Sequence, residues 1–430
     1  MGEGVLTTGF WRRDGVLVCE DVPLTTIASA VGTPTYVYSS ASIRAAYGRL
    51  ASALHGLPVH IHYAMKANSN LAVLRVVRAC GAGVDVVSAG ELHRARLAGF
   101  EGRDIVFAGV GKTRTDLEYA LDVGVLCVNV ESEEELEVLS DVARARGTIA
   151  PVSLRINPGV VNVTAGHAYI ATGEEGTKFG IPITRGIAAA HRAASLPGID
   201  LVGLDMHIGS QIAEVEAFAD AQLRLRALLD ALRADGIASV RTVDVGGGFP
   251  IAYTDSEPHA DLAGFAQVLH DAFGDADVNL IVEPGRFLVA AAGVLLTDVL
   301  YRKRSGSKHF MIVDAGMNDL LRPSHYAAHH GIEPVLSSAA PLQVVDVVGP
   351  VCESGDFLAL DREMPDVGAG TLLAVRDAGA YGYVMSSNYN SRPNPAEVLV
   401  DGDRWAVVTV RQTLDELVRH ERISPDWRDA

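Results

Sequence analysis

Positive charge is scarce in this sequence. The 430 residues include 36 lysines and arginines against 53 aspartates and glutamates, which gives a formal net charge of −17. A protein that binds nucleic acid or an anionic membrane needs a basic surface to displace counterions. The acidic balance therefore argues against both partners and favours a small-molecule substrate.

Cysteines and long apolar runs are also few. The four cysteines, Cys19, Cys80, Cys127 and Cys352, lie far apart and form no CxxC pair, so we expect neither a metal site nor a disulfide framework. No run approaches the roughly 18 apolar residues of a membrane span. Residues 1–14 lack the apolar core of a signal peptide. These absences predict a soluble, cytoplasmic protein.

Short apolar runs instead alternate with segments of helical period. The eight strand-like runs are residues 60–64, 83–87, 105–108, 126–130, 152–156, 202–207, 240–245 and 279–283. The helical segments are residues 70–79, 89–98, 115–123, 133–146, 183–194, 215–234 and 262–273. Eight βα repeats predict an α/β fold with a closed (β/α)8 TIM-like barrel, and an open doubly wound sheet is the alternative.

A change in pattern near residue 295 predicts a second domain. Beyond it, strand-like runs are separated by Gly, Pro and Asp turns, at residues 294–303, 309–313, 342–347, 372–375, 397–400 and 405–410. We expect residues 36–294 to form the barrel. Residues 1–35 and 295–430 would form a mostly β domain of sandwich or barrel type.

Lys66 stands where the first barrel strand should end. A (β/α)8 enzyme places its chemistry at the carboxyl ends of its strands, and a lysine amine there can carry pyridoxal phosphate as a Schiff base. Asp85 and Arg155 stand at the ends of two further strands. The alternative is a solvated surface lysine.

Three glycines, Gly246, Gly247 and Gly248, follow the seventh strand. Backbone N–H groups without neighbouring side chains can approach a phosphate closely, and such enzymes often hold phosphate after strands seven and eight. Gly285 and Arg286, which follow the eighth strand, should converge on the same place. A plain tight turn is the alternative.

Other polar residues at strand ends fit the same cofactor. A buried Glu283 must find a cationic or hydrogen-bonding partner, and a protonated pyridine nitrogen is such a partner. The alternative is a salt bridge with Arg286 or another core cation. His207 could stack on a planar ring and Ser210 could bind phosphate, although a histidine there is more often a hydrogen-bonded core residue. Cys352 lies in a polar, glycine-flanked loop and could act as an acid rather than as a buried apolar cysteine.

Taken together, these segments resemble the alanine-racemase-like, fold-type III pyridoxal phosphate decarboxylases across nearly the whole chain. The matching motifs are Tyr63-Ala64-Met65-Lys66-Ala67-Asn68, His207-Ile208-Gly209-Ser210-Gln211, Gly246-Gly247-Gly248-Phe249, Glu283-Pro284-Gly285-Arg286, Asn318-Asp319-Leu320-Leu321-Arg322-Pro323 with Tyr326, Cys352-Glu353-Ser354-Gly355-Asp356 and Gly379-Ala380-Tyr381. Each motif alone is weak, but seven in the family's order are specific.

The resemblance implies pyridoxal 5'-phosphate as the cofactor and a homodimer with shared active sites. The residues expected around the cofactor are Lys66, Asp85, Arg155, His207, Ser210, Gly246, Gly247, Gly248, Glu283, Gly285, Arg286 and Tyr381. Cys352 and Glu353 would come from the mostly β domain and reach the lysine of the other subunit. Lys66 and Cys352 are the expected catalytic residues.

The implied reaction removes one carboxylate of meso-2,6-diaminopimelate and leaves L-lysine and CO2, the last step of lysine biosynthesis. Its distal amino-acid end would need Arg286, Arg322, Tyr326 and Tyr381, with Glu353 as the ammonium receptor. Three alternatives stay open. They are a decarboxylase of the same fold for ornithine, arginine or a secondary-metabolite amino acid, a non-catalytic cofactor carrier, and an amino-acid racemase.

One loop departs from the family pattern. Residues 167–180 keep Lys178-Phe179-Gly180 but carry an unusual Glu174-Glu175-Gly176-Thr177 before it. The resemblance places this loop near the mouth of the active site. The difference leaves a modified or carrier-tethered amino acid open as the true substrate.

Overall fold

The computed structural model describes residues 9–160, 173, 176–254, 256–424 and 427–428. The chain divides into two compact units, one of residues 40–291 and the other of residues 1–39 with 292–430. The earlier part of loop 167–180, residues 167–172, lies outside the described residues, as do residues 174 and 175.

The strands in chain order are β1 (Phe10–Arg13), β2 (Val16–Cys19), β3 (Val22–Pro23), β4 (Thr35–Ser39), β5 (Val59–Ala64), β6 (Gly83–Val86), β7 (Ile105–Phe107), β8 (Cys127–Val130), β9 (Ala150–Asn157), β10 (Ile181–Pro182), β11 (Ile199–Asp205), β12 (Thr242–Asp244), β13 (Asn279–Val282), β14 (Gly293–Ser305), β15 (Lys308–Val313), β16 (Ile332–Pro334), β17 (Leu342–Val348), β18 (Phe357–Pro365), β19 (Leu372–Val375), β20 (Ala396–Asp401) and β21 (Arg404–Thr409). The α-helices are α1 (Leu24–Val31), α2 (Ser40–Ala53), α3 (Leu71–Ala79), α4 (Ala89–Ala98), α5 (Arg114–Val123), α6 (Glu133–Arg146), α7 (Gly186–Ser195), α8 (Val215–Ala234), α9 (Leu262–Phe273), α10 (Arg286–Val289), α11 (Arg322–Tyr326) and α12 (Leu414–Val418).

Eight parallel strands close into a barrel in the unit of residues 40–291. Their order is β9-β11-β12-β13-β5-β6-β7-β8, and a pairing of β8 with β9 completes the ring. The predicted (β/α)8 barrel is therefore confirmed, and the open doubly wound sheet is wrong. The short β10 pairs in parallel with β9 outside the ring.

The barrel helices begin on side-chain caps soon after the strands end. Ser88 Oγ accepts a hydrogen bond from Glu91 N at 3.2 Å at the start of α4, and Ser132 caps α6 in the same way. α4 ends at Gly99, whose φ of +97° is readily adopted only by glycine. These local signals explain why the predicted bounds of both helices match the structure.

The barrel interior is unusually polar. Side chains that face the interior of such barrels are mostly branched aliphatic residues. Here the buried polar residues of the barrel strands are His62, Asp85, Asn129, Ser153, Arg155, Asp205 and Asp244. Because burying polar groups has a cost that only specific partners offset, this arrangement points to a functional interior.

The second unit is mostly β, as predicted. Its larger sheet has the order β18-β17-β15-β14-β4-β20-β21, with β19 joined to β14 and β16 joined to β19. β1, β2 and β3 form a separate antiparallel sheet. Buried Val37, Leu296, Ala374 and Val398 belong to one core of this unit.

Several strands of this unit, among them β4 and β18, were missed by the sequence analysis. β4 precedes the barrel in the chain, yet it pairs with β14 and β20 of the mostly β unit. Its five residues are all buried, so it has no polar alternation to mark it. β18 has charged residues within it, Asp361, Arg362 and Glu363, which mask the strand period. In neither unit is a described helix long and apolar enough to span a bilayer.

Candidate active site

Lys66 lies directly after β5, beside the end of β6. Its Nζ is 3.5 Å from Asp85 Oδ2, and Asp85 is buried while the lysine side chain is 37% exposed. Burial raises the pKa of Asp85, and the positive charge of Lys66 opposes that rise. The lysine is thus held by a buried carboxyl and remains accessible to a ligand.

Arg155 joins carboxylates from the two neighbouring strands. Its Nη1 donates to Glu131 Oε1 at 2.7 Å, and its Nε lies 3.8 Å from Asp205 Oδ2. Burial works to lower the pKa of Arg155, but Asp205 and Glu131 outweigh it and raise that pKa. Arg155 is therefore a charged residue of the barrel interior.

Asp205, Asp244 and Glu283 form a buried cluster, which we call the carboxyl triad. One oxygen of each lies within 4.8 Å of the others. Burial raises the pKa of Asp205 to about 7, and it raises the pKa of Asp244 and Glu283 well above the ordinary range. Among the described residues Glu283 Oε1 has no hydrogen-bond partner, and Arg286 donates to Ser210 and Tyr253, so the alternative salt bridge between Glu283 and Arg286 is not observed.

His207 follows β11 at the same end of the barrel. Its Nδ1 accepts a hydrogen bond from Gly247 N at 3.2 Å, which places the ring proton on Nε2. Burial, followed by the charges of Lys66 and Arg155, lowers the pKa of His207 well below its usual value. His207 is therefore a neutral, planar side chain at neutral pH.

The glycine triplet fits closely over the strand ends. A Cβ on Gly247 would lie 2.1 Å from the carbonyl oxygen of Glu283, and a Cβ on Gly248 would lie 2.6 Å from that of Gly209. Gly246 and Gly248 also have φ values of +73° and +96°. Side chains are thus excluded, and the backbone itself borders the site.

Arg286 follows β13 and binds two hydroxyl groups. Its Nε and Nη2 donate to Ser210 Oγ at 3.3 and 3.2 Å, and its Nη1 donates to Tyr253 OH at 2.7 Å. A Cβ on the adjacent Gly285 would lie 3.2 Å from Ala64. The structure thus brings Ser210, Gly285 and Arg286 together, as expected for strand ends that converge.

The remaining expected residues belong to the mostly β unit. Cys352 is exposed, which rules out the alternative of a buried apolar cysteine. Its backbone N donates to Asn390 Oδ1 at 2.8 Å. Asp356 holds the same loop by accepting from Val351 N and Met317 N, each at 2.6 Å. The loop is therefore ordered and presents its thiol to solvent.

Arg322, Tyr326 and Tyr381 also lie in that unit. Arg322 is buried and its Nη1 hydrogen-bonds His330 Nε2 at 2.8 Å. Tyr326 ends α11, which begins at Arg322. Tyr381 has a φ of +53°, a strained conformation for a residue with a side chain.

Comparison with known proteins defines the family. Residues 40–290 match the pyridoxal binding domain of the pyridoxal-dependent decarboxylases. The chain belongs to the pyridoxal-dependent decarboxylase family. It is 50% identical to a diaminopimelate decarboxylase of Pseudomonas aeruginosa, over 97% of this chain and 99% of that protein. It is 45% identical to a diaminopimelate decarboxylase of Vibrio cholerae, again over 97% of this chain and 99% of that protein.

Solved structures agree with this assignment. A diaminopimelate decarboxylase of M. jannaschii in complex with L-lysine superposes with a TM-score of 0.92 at 33% identity, over 98% of this chain and 99% of that one. A diaminopimelate decarboxylase of Helicobacter pylori, also in complex with L-lysine, superposes with a TM-score of 0.89 at 38% identity, over 93% of this chain and 99% of that one. The resemblance predicted from motifs is confirmed.

The cofactor of this family member is pyridoxal 5'-phosphate, and the site fits it. Glu283 Oε1 is buried and has no hydrogen-bond partner among the described residues. Such an atom is costly unless a bound group supplies a donor. The backbone N–H groups of the glycine triplet, which no side chain covers, are suited to bind the phosphate of the cofactor.

Four residues of this site were missed from the sequence. Glu131, Asp205, Asp244 and Tyr253 contact expected residues, but no motif drew attention to them. Asp205 and Asp244 lie within two predicted strands, near their carboxyl ends. Comparing equivalent positions at all eight strand ends would have identified both.

Proposed function

We propose that this chain decarboxylates meso-diaminopimelate to L-lysine and CO2 with pyridoxal 5'-phosphate. The observation that carries the proposal is 50% identity to a diaminopimelate decarboxylase across 97% of the chain. The two solved relatives that hold L-lysine support the same product. They disfavour ornithine or arginine as the substrate.

Strand-end residues of the barrel would hold the cofactor. Lys66 would bind it through Nζ, with Asp85 beside that amine. Neutral His207 would lie against the ring, and Glu283 would accept a hydrogen bond from the ring nitrogen. Ser210, Gly246, Gly247, Gly248, Gly285 and Arg286 would surround the phosphate, with Tyr381 from the mostly β unit.

The bound cofactor supplies an electron sink for the pair released when the carboxylate leaves as CO2. The protein contributes the charge that maintains this sink. Burial raises the pKa of Glu283, so its carboxylate would form opposite a protonated ring nitrogen, where their attraction is little screened. A neutral His207 adds no competing positive charge on the face of the ring.

Cys352 is the proposed acid that delivers a proton to the α-carbon after CO2 has left. Its exposure and its ordered loop support this role, since an acid must reach the reacting carbon. We place it in a shared site of a homodimer, where Cys352 and Glu353 of one subunit serve the Lys66 of the other.

Substrate selection would depend on both ends of the molecule. Arg286, Arg322, Tyr326 and Tyr381 would receive the distal carboxylate, because guanidinium groups match carboxylates in pairs of hydrogen bonds. Glu353 would receive the distal ammonium group. A substrate such as ornithine has no distal carboxylate and would leave these arginines without a partner, which weakens binding.

Purified protein loaded with pyridoxal 5'-phosphate tests the proposal. We expect CO2 and L-lysine in equal amounts from meso-diaminopimelate, and little CO2 from ornithine, arginine or lysine. Release of CO2 from one of those three in preference would contradict the substrate. A change of enantiomer without CO2 would indicate a racemase instead.

A further inference from the structure

The amino end of the barrel, opposite the end that carries Lys66, holds a cavity of about 550 Å³. Its walls come from β5, β6, β12 and β13, from the turns before β7 and β8, and from the end of α3. The polar residues that line it include His62, Arg78, Arg103, Asp104, Thr242 and Asn279. This end of a (β/α)8 barrel ordinarily serves stability, so a polar cavity of small-molecule size here needs its own explanation.

His62 is a buried lining residue with an unused hydrogen-bonding atom. It is 5% exposed, and its Nδ1 has no hydrogen-bond partner among the described residues. Gly83 leaves the space for its ring, because a Cβ there would lie 2.6 Å from His62 Cε1 and 2.7 Å from the carbonyl oxygen of Asp104. A buried polar atom without a partner is costly. A group bound in the cavity would remove this cost.

Positive charge predominates in the cavity. Arg78 and Arg103 line it, and Asp104 is the only carboxylate among the described lining residues. Asp104 already accepts a hydrogen bond from Glu101 N at 3.2 Å. Arg103 pairs with Glu101 at 2.7 Å, but these side chains are 78% and 58% exposed, so the pair is weak. Arg78 is exposed and forms no ion pair with a described residue. Both arginines are therefore available to a ligand.

The net charge of the whole chain makes this local excess of cations informative. At −17 the protein as a whole repels anions, so the two arginines do not belong to a generally basic surface. Guanidinium groups form paired hydrogen bonds with phosphate and carboxylate oxygens. The hydroxyl of Thr242 and the amide of Asn279 offer further donors. The lining thus matches an oxyanion better than a cation or an apolar molecule.

A smaller cavity of about 60 Å³ adjoins this one on the side of the barrel interior. Leu126, Thr242 and Ile281 line both cavities. The smaller one is also lined by Asp244, which belongs to the carboxyl triad. Acidic groups do not attract an anion, so the larger cavity, beside the arginines, is the favoured place for one.

We propose that the cavity at the amino end of the barrel binds a small oxyanion, whose phosphate or carboxylate oxygens contact Arg78, Arg103 and Nδ1 of His62. The Nδ1 atom then carries the ring proton, because an oxyanion only accepts hydrogen bonds. The site lies at the other end of the barrel from Lys66 and is separate from the phosphate site proposed at the glycine triplet.

Calorimetric titration of the cofactor-loaded protein tests the proposal. The bound cofactor occupies the glycine triplet, so added anions report on other sites. Inorganic phosphate and citrate are the probes, at constant ionic strength with chloride as the background anion. We expect one site per chain, with a Kd of about 1 mM or below for the better probe. The better probe distinguishes a phosphate from a carboxylate ligand. No binding of either probe at about 10 mM would overturn the inference.

Substitutions of the arginines test the location. Arg78→Gln should weaken binding of the better probe at least about 10-fold, the usual effect of losing a hydrogen bond to a charged group, and Arg103→Gln should also weaken it. Both side chains are exposed, so the variants should fold normally.

Arg75→Gln is the matched control. Arg75 is exposed, lies on the same helix α3 as Arg78 and does not line the cavity, so the Kd should not change. Equal losses in Arg75→Gln and Arg78→Gln would indicate a general effect of charge and would contradict a specific site.

A crystal structure of the cofactor-loaded protein with the better probe gives an independent readout. The anion should contact Arg78 and Nδ1 of His62. An anion bound only outside this cavity would show the inference to be wrong. Neither readout involves release of CO2, so failure of the proposed substrate would leave this inference intact.

Discussion

Accessibility distinguishes Lys66 from the other charged groups at the barrel end. It is 37% exposed, whereas Asp85, Arg155 and Glu283 are all buried. The buried groups are therefore suited to hold charge and orientation, and the lysine is the group that a ligand can reach. A motif at a strand end was enough to single out Lys66 as a candidate, but its pairing with Asp85 came from the structure.

Replacement of Lys66 should remove the covalent attachment of the cofactor. We expect Lys66→Ala to lose the visible absorbance of the bound cofactor and at least about 10³-fold in decarboxylation, since no other amine is proposed as the nucleophile. Absorbance after desalting and CO2 release are the measurements. Lys303→Ala, an exposed lysine of the mostly β unit, is the control. A Lys66 variant that keeps the absorbance would place the attachment elsewhere.

His62 should make the stability of the protein sensitive to acid. Burial, helped by nearby His60, lowers its pKa from 6.5 to about 4. The unfolded chain therefore binds more protons than the folded chain between those two values. The neutral His62 contributes its full stabilisation above pH 6.5. This stabilisation is lost as the pH falls towards 4, and the loss at pH 4 is about 3 kcal/mol.

His62→Asn removes this titration. Denaturant unfolding between pH 4 and pH 7.5 should show that the wild-type free energy of unfolding falls about 3 kcal/mol more than that of the variant. The comparison cancels the contribution of the buried carboxyls, which titrate in both proteins. Parallel pH profiles would show that His62 does not titrate differently in the two states.

At the scale of elements, the glycine triplet and helix α2 give a matched pair of substitutions. Gly247→Ala would place a Cβ 2.1 Å from the backbone of Glu283, so the loop must shift. We expect it to cost about 1–3 kcal/mol, as overpacking usually does, and to weaken cofactor binding. Gly48 lies within α2 with no atom near its Cβ position, and Gly48→Ala should stabilise by about 0.5–1 kcal/mol.

Thermal or denaturant unfolding measures both changes, and cofactor titration separates them. Gly48→Ala should leave cofactor affinity unchanged. Equal stability of the two variants would mean that the triplet adapts without strain and that its glycines serve only as a turn.

At the scale of the whole molecule, the proposed dimer makes each site depend on two chains. Lys66→Ala and Cys352→Ala subunits should each be nearly inactive alone. After random mixing about half of the dimers contain one subunit of each variant, and each of these mixed dimers has one complete site of its two. Activity should therefore recover to about a quarter of wild type. CO2 release after co-refolding is the measurement, with mixed dimers verified by two affinity tags. No recovery in verified mixed dimers would place each site within one chain.

The order and type of most barrel elements could be predicted from the sequence alone. Apolar period, caps and terminal glycines are local, and the predicted bounds of α4, α6, α8 and α9 agree with the structure. The strand ends also singled out Lys66, His207 and Glu283, and their roles at the cofactor stay predictions. Their shared place at one end of the barrel was predictable because a (β/α)8 repeat brings the carboxyl ends of its strands together.

Only the tertiary structure decided which of these residues meet. Asp205, Asp244 and Glu283 lie far apart in the chain, and their contact depends on the closure and register of the barrel. β4 was assigned to the mostly β unit only by its pairing with β14 and β20. Burial and pairing are non-local, so the charge of each carboxyl could be inferred only from the folded chain.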